Sequence, residues 1–592
     1  MSSSGRPTIG VVDVVRRLPA MLPDLPGMAM GAANLLLRKP DSKGSVGLVF
    51  QRAAQRHPER PFLRFEGNSV GYGEANEQVN RYAVVLSAHG VVRGDVVGVL
   101  MKNRPETLFL VLAIAKLGAT AGLLNHNQRS DVLAHSLGLL DSRVLVVGDE
   151  CQEAIDSLDA APQAETVLTA DDVDREAVGA DDADPPICEE ITGREKAYLI
   201  FTSGTTGMPK ASVMTHYRWL KGMAGLGSLG VRLSSDDTLY CCLPLYHNNA
   251  LTVALSSVLG SGATFALGKS FSASRFWDDA NLNKATGFAY IGELCRYLLN
   301  QPARSTDRDN NIRLMVGNGL RPEIWDEFKT RFGISRVAEF YGASEGNIAF
   351  VNALNLDRTA GVCPLPYAVV EYDDESGKAK RDSNGLLRKV GKGEVGLLLA
   401  KVTDRAPFDG YTDKSASESK LVRDGFDKGD VWFDTGDLVR KQGWMHIAFV
   451  DRLGDTFRWK GENVATTEVE GALGDERGVD QAVVYGVDVP GTDGKAGMAA
   501  VMMKDGAGFD GKAVAGHLYD RLPAYAVPLF IRIVDSLEQT STFKSRKVEL
   551  RKLGYSNDAE GTLYVLAGKS AGYVDAYETY ADDVAGGSVP KG

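Results

Sequence analysis

The sequence predicts an α/β protein in two parts: a large N-terminal domain of mostly parallel sheets flanked by helices, residues 1–453, and a small α+β C-terminal domain, residues 454–592. Three observations lead there. A chain of 592 residues exceeds what one hydrophobic core organises. Up to about residue 450, apolar β-branched runs alternate with helical patterns, as in parallel sheets covered by helices on both faces. After Asp451 the texture changes to short strands gathered around one glycine-rich loop.

Taken in order, residues 1 to about 40 read as an irregular arm, because Pro23, Asp24 and Pro26 interrupt the apolar stretch 21–37. Residues 46–55 carry an amphipathic helical pattern that stops before Pro58. Residues 95–101 form a compact β-branched run suited to a buried strand. Pro105-Glu106 is a favourable helix start, and that helix closes at Gly118. The most membrane-like stretch is 108–124. Lys116 near its middle would cost roughly 2.5–3.5 kcal/mol in a bilayer, and Gly118 breaks it, so a buried helix followed by a strand is expected. Asp131 is placed to cap the next helix, and residues 143–147 give another buried strand. In the second part, 481–487 and 497–503 read as strands flanking the loop 490–494. Residues 512–521 read as a helix, with Pro523 and Pro528 bounding a connector. The tail from Gly572 is small, polar and acidic, and reads as frayed.

Composition narrows the function classes. The chain is 44% hydrophobic and 24% charged with 65 glycines, ordinary for a soluble α/β enzyme. A net charge of -11 argues against nucleic acid as a partner. The six cysteines (Cys151, Cys188, Cys241, Cys242, Cys295 and Cys363) show no paired spacing, so small core residues in a reducing cytosol are expected. The start of the chain lacks a signal-peptide pattern. Peripheral membrane contact and a homodimer stay open.

The strongest motif is Thr202-Ser203-Gly204-Thr205-Thr206-Gly207-Met208-Pro209-Lys210, which follows the apolar strand 198–201. Glycines let backbone amides approach phosphate oxygens, hydroxyls donate or bind Mg2+, and the lysine adds positive charge. The spacing is not that of the Walker loop, which needs Gly-Lys-Ser/Thr at the head of a helix.

With this motif and the block Asp451 to Glu470 (DRLGDTFRWKGENVATTEVE), the chain resembles the adenylate-forming superfamily, from about residue 45 to residue 556. Residues 290–299 (YIGELCRYLL) resemble its fatty-acid-transport-protein and very-long-chain acyl-CoA synthetase branch. The resemblance implies a large adenylate-forming domain, a small mobile C-terminal domain, and ATP-dependent joining of a long-chain fatty acid to coenzyme A through an acyl-adenylate. It implies ATP, Mg2+ and coenzyme A as reactants.

The family pattern maps residue by residue. Tyr341, Gly342, Ser344 and Glu345 match the Y-G-x-S/T-E element, where the tyrosine stacks on adenine, the serine reaches a phosphate and the glutamate holds Mg2+ with Thr202. Asn318 and Gly319 match the adenine pocket. Asp437 matches the aspartate that accepts from the ribose hydroxyls, with Arg452 beside it. His247 matches the element next to the acyl carboxylate. Lys544 matches the region of the catalytic lysine, although relatives carry Gly-Lys where this chain has Phe543-Lys544; Lys547 is the alternative. Gly454 stands at the inter-domain hinge, where relatives often have aspartate or lysine. Trp459, Lys460, Gly461 and Glu468 match the face presented for the thioester step. Chain-length selection is expected among side chains scattered through 230–300. The same motifs would also serve a ligase donating acyl groups to a carrier protein, a luciferase-like oxidase, or uptake by metabolic trapping. No carrier domain with a phosphopantetheine serine is evident, and no run of about 20 apolar residues suits a spanning helix.

Overall fold

A computed structural model describes residues 8–203, 208–373, 377–459, 462–492, 494–537, 547–556 and 559–586. Where an irregular arm is expected at the start, residues 11–37 are helical: α1 (Val11–Arg17), a 3-10 turn (Leu18–Asp24) and α2 (Leu25–Leu37). Pro19 and Pro26 stand in the first turns of their elements, where a missing N–H is not needed, and Pro23 lies inside the short 3-10 turn, just before it passes into α2.

Helices α3 (Val46–Arg56), α4 (Tyr72–Ala88) and α5 (Pro105–Lys116) come next. Ser45 caps α3 by accepting from the Leu48 amide at 3.0 Å. α5 is buried from Thr107 to Lys116, as expected for a helix that is apolar all round. The one charge within that buried stretch is compensated: Lys116 Nζ lies 2.7 Å from Asp184 and 2.6 Å from the side-chain carbonyls of Asn76 and Asn80. Asp131 falls within the first turn of helix Ser130–Leu140 rather than at its cap, which is Arg129.

Three sheets carry the fold. The first has six strands in the order 164–169, 142–147, 96–100, 120–123, 196–203 and 209–215, all parallel except the last. The second runs parallel through 61–65, 264–267, 238–241, 287–291, 314–318 and 336–342. It then continues as antiparallel strands, from 349–351 through 361–362, 446–452, 431–443 and 395–401 to 367–370. The large hydrophobic core joins α3, α4 and α5 to both parallel sheets.

A second core begins at Phe457 and gathers the hairpin 457–464 and the five-stranded sheet 479–488, 495–503, 530–533, 562–566 and 573–575. Residues 573–585, expected to fray, instead form strand Tyr573–Asp575 and helix Tyr580–Ala585, because Tyr580 and Val584 insert into this core.

Candidate active site

Strands 196–203 and 209–215 pair antiparallel, so the glycine-rich motif is the connection of a hairpin. Thr202 lies opposite Lys210 and Ser203 opposite Pro209. Gly204, Thr205, Thr206 and Gly207 lie outside the described residues. Lys210 Nζ sits 5.6 Å from the centroid of the Tyr411 ring, and the Tyr411 hydroxyl donates to Glu345 Oε1 at 2.9 Å. The hairpin and the Tyr341–Gly346 turn therefore meet through Tyr411, which carries no motif of its own.

Strand Arg336–Gly342 delivers Tyr341 and, two residues earlier on the same face, Glu339. The Tyr341 hydroxyl donates to Asp437 Oδ2 at 2.6 Å. Arg452 Nε lies 3.6 Å from Asp437 Oδ1, on the strand paired with that of Asp437. Burial works against the charge on Arg452, but Asp437, Glu345 and Asp455 outweigh it and hold the guanidinium ionised. The turn that presents Asp437 is fixed by Gly436 at φ +71° and by Thr435, whose Oγ1 accepts from the Asp437 amide at 3.1 Å. Three residues distant in sequence thus make one cluster.

Asn318 closes a parallel strand, and its Oδ1 accepts from Asn249 Nδ2 at 2.9 Å. Gly319 follows at φ +84°, and the backbone of Gly292 approaches so closely that a Cβ there would stand 1.8 Å from the Gly319 carbonyl oxygen. Glu339 holds this turn from below. Its Oε1 accepts from the amides of Gly319 at 2.6 Å and Leu320 at 3.3 Å, and its Oε2 meets the Tyr290 hydroxyl. Burial lifts the Glu339 carboxyl to about 8, although all three of these hydrogen bonds favour the ionised form.

A cavity of about 200 Å³ opens beside Gly342 and Ser344. Its lining is mostly apolar, with Leu226, Val253 and Leu35 of α2 among it, and it carries the polar side chains of Arg218, Lys221, Asn248, Asn249 and Arg405. Gly225, Leu226 and Leu229 of the π-helix Met223–Val231 form part of the wall. Outside the expected 230–300 range, the walls also draw on residues 340–365 and 405–407. Arg218 is half-buried and donates to the carbonyls of Val213, Ser344 and Gly346, bracing the turn that holds Glu345. His247 precedes the two cavity asparagines, with its ring 4.5 Å from that of Tyr246.

The C-terminal candidates divide. Lys460, Gly461 and Lys544 lie outside the described residues. Trp459 is buried in the C-terminal core at 3% exposure rather than lying on an open face. Glu468 is exposed in the first turn of helix Thr466–Gly474. Lys547, the alternative lysine, is engaged: its Nζ lies 2.9 Å from Glu470 and 2.6 Å from Thr466 Oγ1. Arg321 meets Glu293 at 3.0 Å and reaches Glu470 at 3.7 Å, and Asn300 donates to Asp480 at 2.8 Å, joining the two cores. Gly454 has open space around it.

Sequence reasoning missed Arg218, Tyr411 and Glu339. Only Glu339 carried a local signal, as an acidic side chain inside an otherwise apolar strand.

A sequence model described as AMP-binding enzyme matches residues 50–395, and one described as AMP-binding enzyme C-terminal domain matches 468–544. The chain is 56% identical to the medium/long-chain-fatty-acid–CoA ligase FadD6 of Mycobacterium tuberculosis, over 99% of this chain and 98% of that one. It is 40% identical to long-chain fatty acid transport protein 2 of Rattus norvegicus, over 90% and 89%. Among solved structures, ATP-bound MatB from Rhodopseudomonas palustris superposes with a TM-score of 0.73 at 22% identity, covering 86% of this chain and 98% of that one. A Mycobacterium tuberculosis fatty acyl CoA synthetase does so at 0.61 and 22%, over 86% and 98%. These two likenesses concern the fold. A match across more than half of the chain, joined to a relative alike along nearly all of it, establishes that this chain belongs to the AMP-binding enzyme family.

Proposed function

We propose that this chain is a fatty-acid–CoA ligase that activates long- or very-long-chain fatty acids with ATP and releases AMP and pyrophosphate. The observation that carries the reading is the cavity: its largely apolar lining includes Gly342 and Ser344, which adjoin Tyr341 of the Tyr341–Asp437–Arg452 cluster and Glu345. An acyl chain bound there would present its carboxylate to a nucleotide held by that cluster.

A carboxylate oxygen attacks the α-phosphorus, the bond to the β-phosphate breaks, and pyrophosphate leaves. The thiolate of coenzyme A then attacks the acyl carbonyl carbon and AMP departs. The protein's part is alignment and charge neutralisation. Tyr341 and the Asn318-Gly319 turn flank the adenine, Asp437 and Arg452 hold the ribose, and the Thr202–Lys210 hairpin cradles the phosphates. His247 borders the carboxylate.

The hydroxyl of Thr202 and the carboxylate of Glu345 are hard donors that suit Mg2+. Among the described residues no three His, Cys, Asp or Glu side chains form a metal cage, so the ion would share these two residues with the phosphates and neutralise them. Lys544 balances the charge of the first step. Rotation about Gly454 then divides residues 1–453 from 454–592 and presents the Glu468 face for the second step.

The resemblance to transport proteins fits trapping by thioesterification, since among the described residues no helix is long and apolar enough to cross a membrane. A cytoplasmic enzyme with peripheral membrane contact completes the reading. Pyrophosphate release and acyl-CoA formation, measured with acids from C8 to C26, test it. Failure to release pyrophosphate with any of them would sink it, and adenylate without thioester would favour donation to a carrier protein.

A further inference from the structure

A carboxylate has to leave water to enter the cavity, and from a distance the chain repels it, with a net charge of -11. The attraction must therefore be local. Among the described lining residues there is no aspartate or glutamate, whereas Arg218, Lys221 and Arg405 each reach the cavity.

The three cations are not equivalent. Arg218 has given both terminal nitrogens to the carbonyls of Val213, Ser344 and Gly346. Arg405 is exposed. The cavity amides are engaged as well: Asn248 Oδ1 accepts from the Thr252 hydroxyl at 2.8 Å, and Asn249 Nδ2 donates to Asn318. Lys221 is half-buried, sits 4.9 Å from the centroid of the Tyr217 ring and donates to the Arg405 carbonyl. An ammonium has three N–H donors, so it can still receive an anion.

No carboxylate pairs with Lys221 among the described residues. The charged and titratable groups that face it are Arg405, from the loop after strand 395–401, and the Cys363 thiol, which burial keeps protonated. Tyr217 and Arg218 stand on its own helix, with Arg38 beyond Tyr217. Burial, and then Arg405, lower the ammonium to about 8. A desolvated cation of this kind is stabilised by an arriving anion.

Its position matters as much as its charge. Lys221 follows Arg218 by three residues on helix His216–Gly222, about 4.5 Å along the axis. Glu345 and Asp409 act on Arg218, whereas Arg405 and Cys363 act on Lys221. Gly225, Leu226 and Leu229 then continue the wall at helical spacing. Lys221 thus stands between the turn that bears Ser344 and the apolar wall. We propose that Lys221 is a holding site for the incoming fatty acid: its ammonium pairs with the free carboxylate one helical turn short of the nucleotide and releases it toward Ser344 once ATP is in place. The release rests on the ligase reading; the pairing does not.

The test uses the full chain without ATP and compares equilibrium binding of laurate with that of dodecanol, which has the same chain and no charge. The wild type prefers laurate. Lys221→Met lowers laurate affinity by about 10- to 100-fold, as loss of a charge-assisted hydrogen bond does, and binds dodecanol as before; Lys221→Arg keeps the preference. In pyrophosphate release, Lys221→Met raises KM for laurate by a similar factor with little change in kcat. Wild-type KM for laurate rises as pH passes about 8 and the ammonium loses its proton, whereas that of Lys221→Arg stays flat. Should Lys221→Met unfold, the laurate preference of the wild type and its pH profile against Lys221→Arg decide. The proposal is overturned if the wild type binds both ligands alike, if Lys221→Met keeps the preference or weakens both ligands equally, or if Lys221→Arg titrates like the wild type. A wild type that prefers laurate but never releases pyrophosphate would count against the ligase reading alone.

Discussion

Replacing Glu339 with glutamine tests the buried carboxyl beneath the Asn318-Gly319 turn. In the folded protein burial lifts this group to about 8, against 4.5 for the exposed side chain. Between those values the native state keeps a proton that the unfolded chain has released. The associated stability is full below about 4.5 and is lost as pH rises toward 8. At pH 7 the cost amounts to about 3 kcal/mol. Glutamine retains an acceptor for the Gly319 and Leu320 amides and a polar group toward Tyr290, but it does not titrate. Wild type and Glu339→Gln are therefore expected to unfold nearly alike at pH 4.5 and to diverge as pH rises, the variant becoming the more stable. Urea unfolding followed by circular dichroism at half-unit steps from pH 4.5 to 8.5 reads this directly. A difference that stays flat across that range would refute a protonated Glu339. Alanine provides the contrast: it orphans two amides at about 1–3 kcal/mol each, and it raises KM for ATP because the turn loses its support.

Four further expectations follow, that for Lys544 from the family pattern and the others from the geometry. Asp437→Asn weakens the bonds to Tyr341 and Arg452, so KM for ATP in pyrophosphate release rises by about 10- to 100-fold while the melting temperature hardly moves. Lys544→Ala abolishes pyrophosphate release without loss of stability. Lys547→Ala strands the buried Glu470 carboxylate and destabilises the protein by about 3–5 kcal/mol; melting curves and activity measured side by side separate the two lysines. Burial opposes ionisation of Asp184, yet hydrogen bonds from Lys116 and Asn76 hold its carboxyl down to about 2. That contribution is present above the ordinary carboxylate range and disappears as pH falls toward 2, so Lys116→Met is less stable at pH 7 and shows a shallower acid limb in unfolding by pH.

Local pattern carried much of this architecture. The run into Leu100, the proline start of α5 and the strand that follows it are each dictated within a dozen residues, and the structure has them at 96–100, 105–116 and 120–123. The motif residues Tyr341, Asp437 and Arg452 were legible one by one, and the structure adds that they touch. What escaped depends on distance along the chain. Arg218 braces carbonyls 126 and 128 residues away, and Tyr411 reaches Glu345 across 66 residues, with nothing nearby in sequence to mark either. Pro26 was read as a break because a first-turn proline and an interrupting one look alike until the preceding cap is known. At the other end, the polar tail is held by buried side chains, among them Tyr573 and Tyr580, whose hydroxyls donate to the carbonyls of Pro528 at 2.8 Å and Leu566 at 2.9 Å.

The place of Leu35 in the cavity wall has an evolutionary corollary. Because Leu35 belongs to a helix outside the main core rather than to a central strand, its bulk can vary without disturbing the register of either large sheet. A lineage could lengthen or shorten the accommodated tail by substitutions in one peripheral segment, leaving the chemistry at the opposite end untouched. Such separation of tuning from turnover lets one scaffold diversify its lipid preferences by small, independent steps.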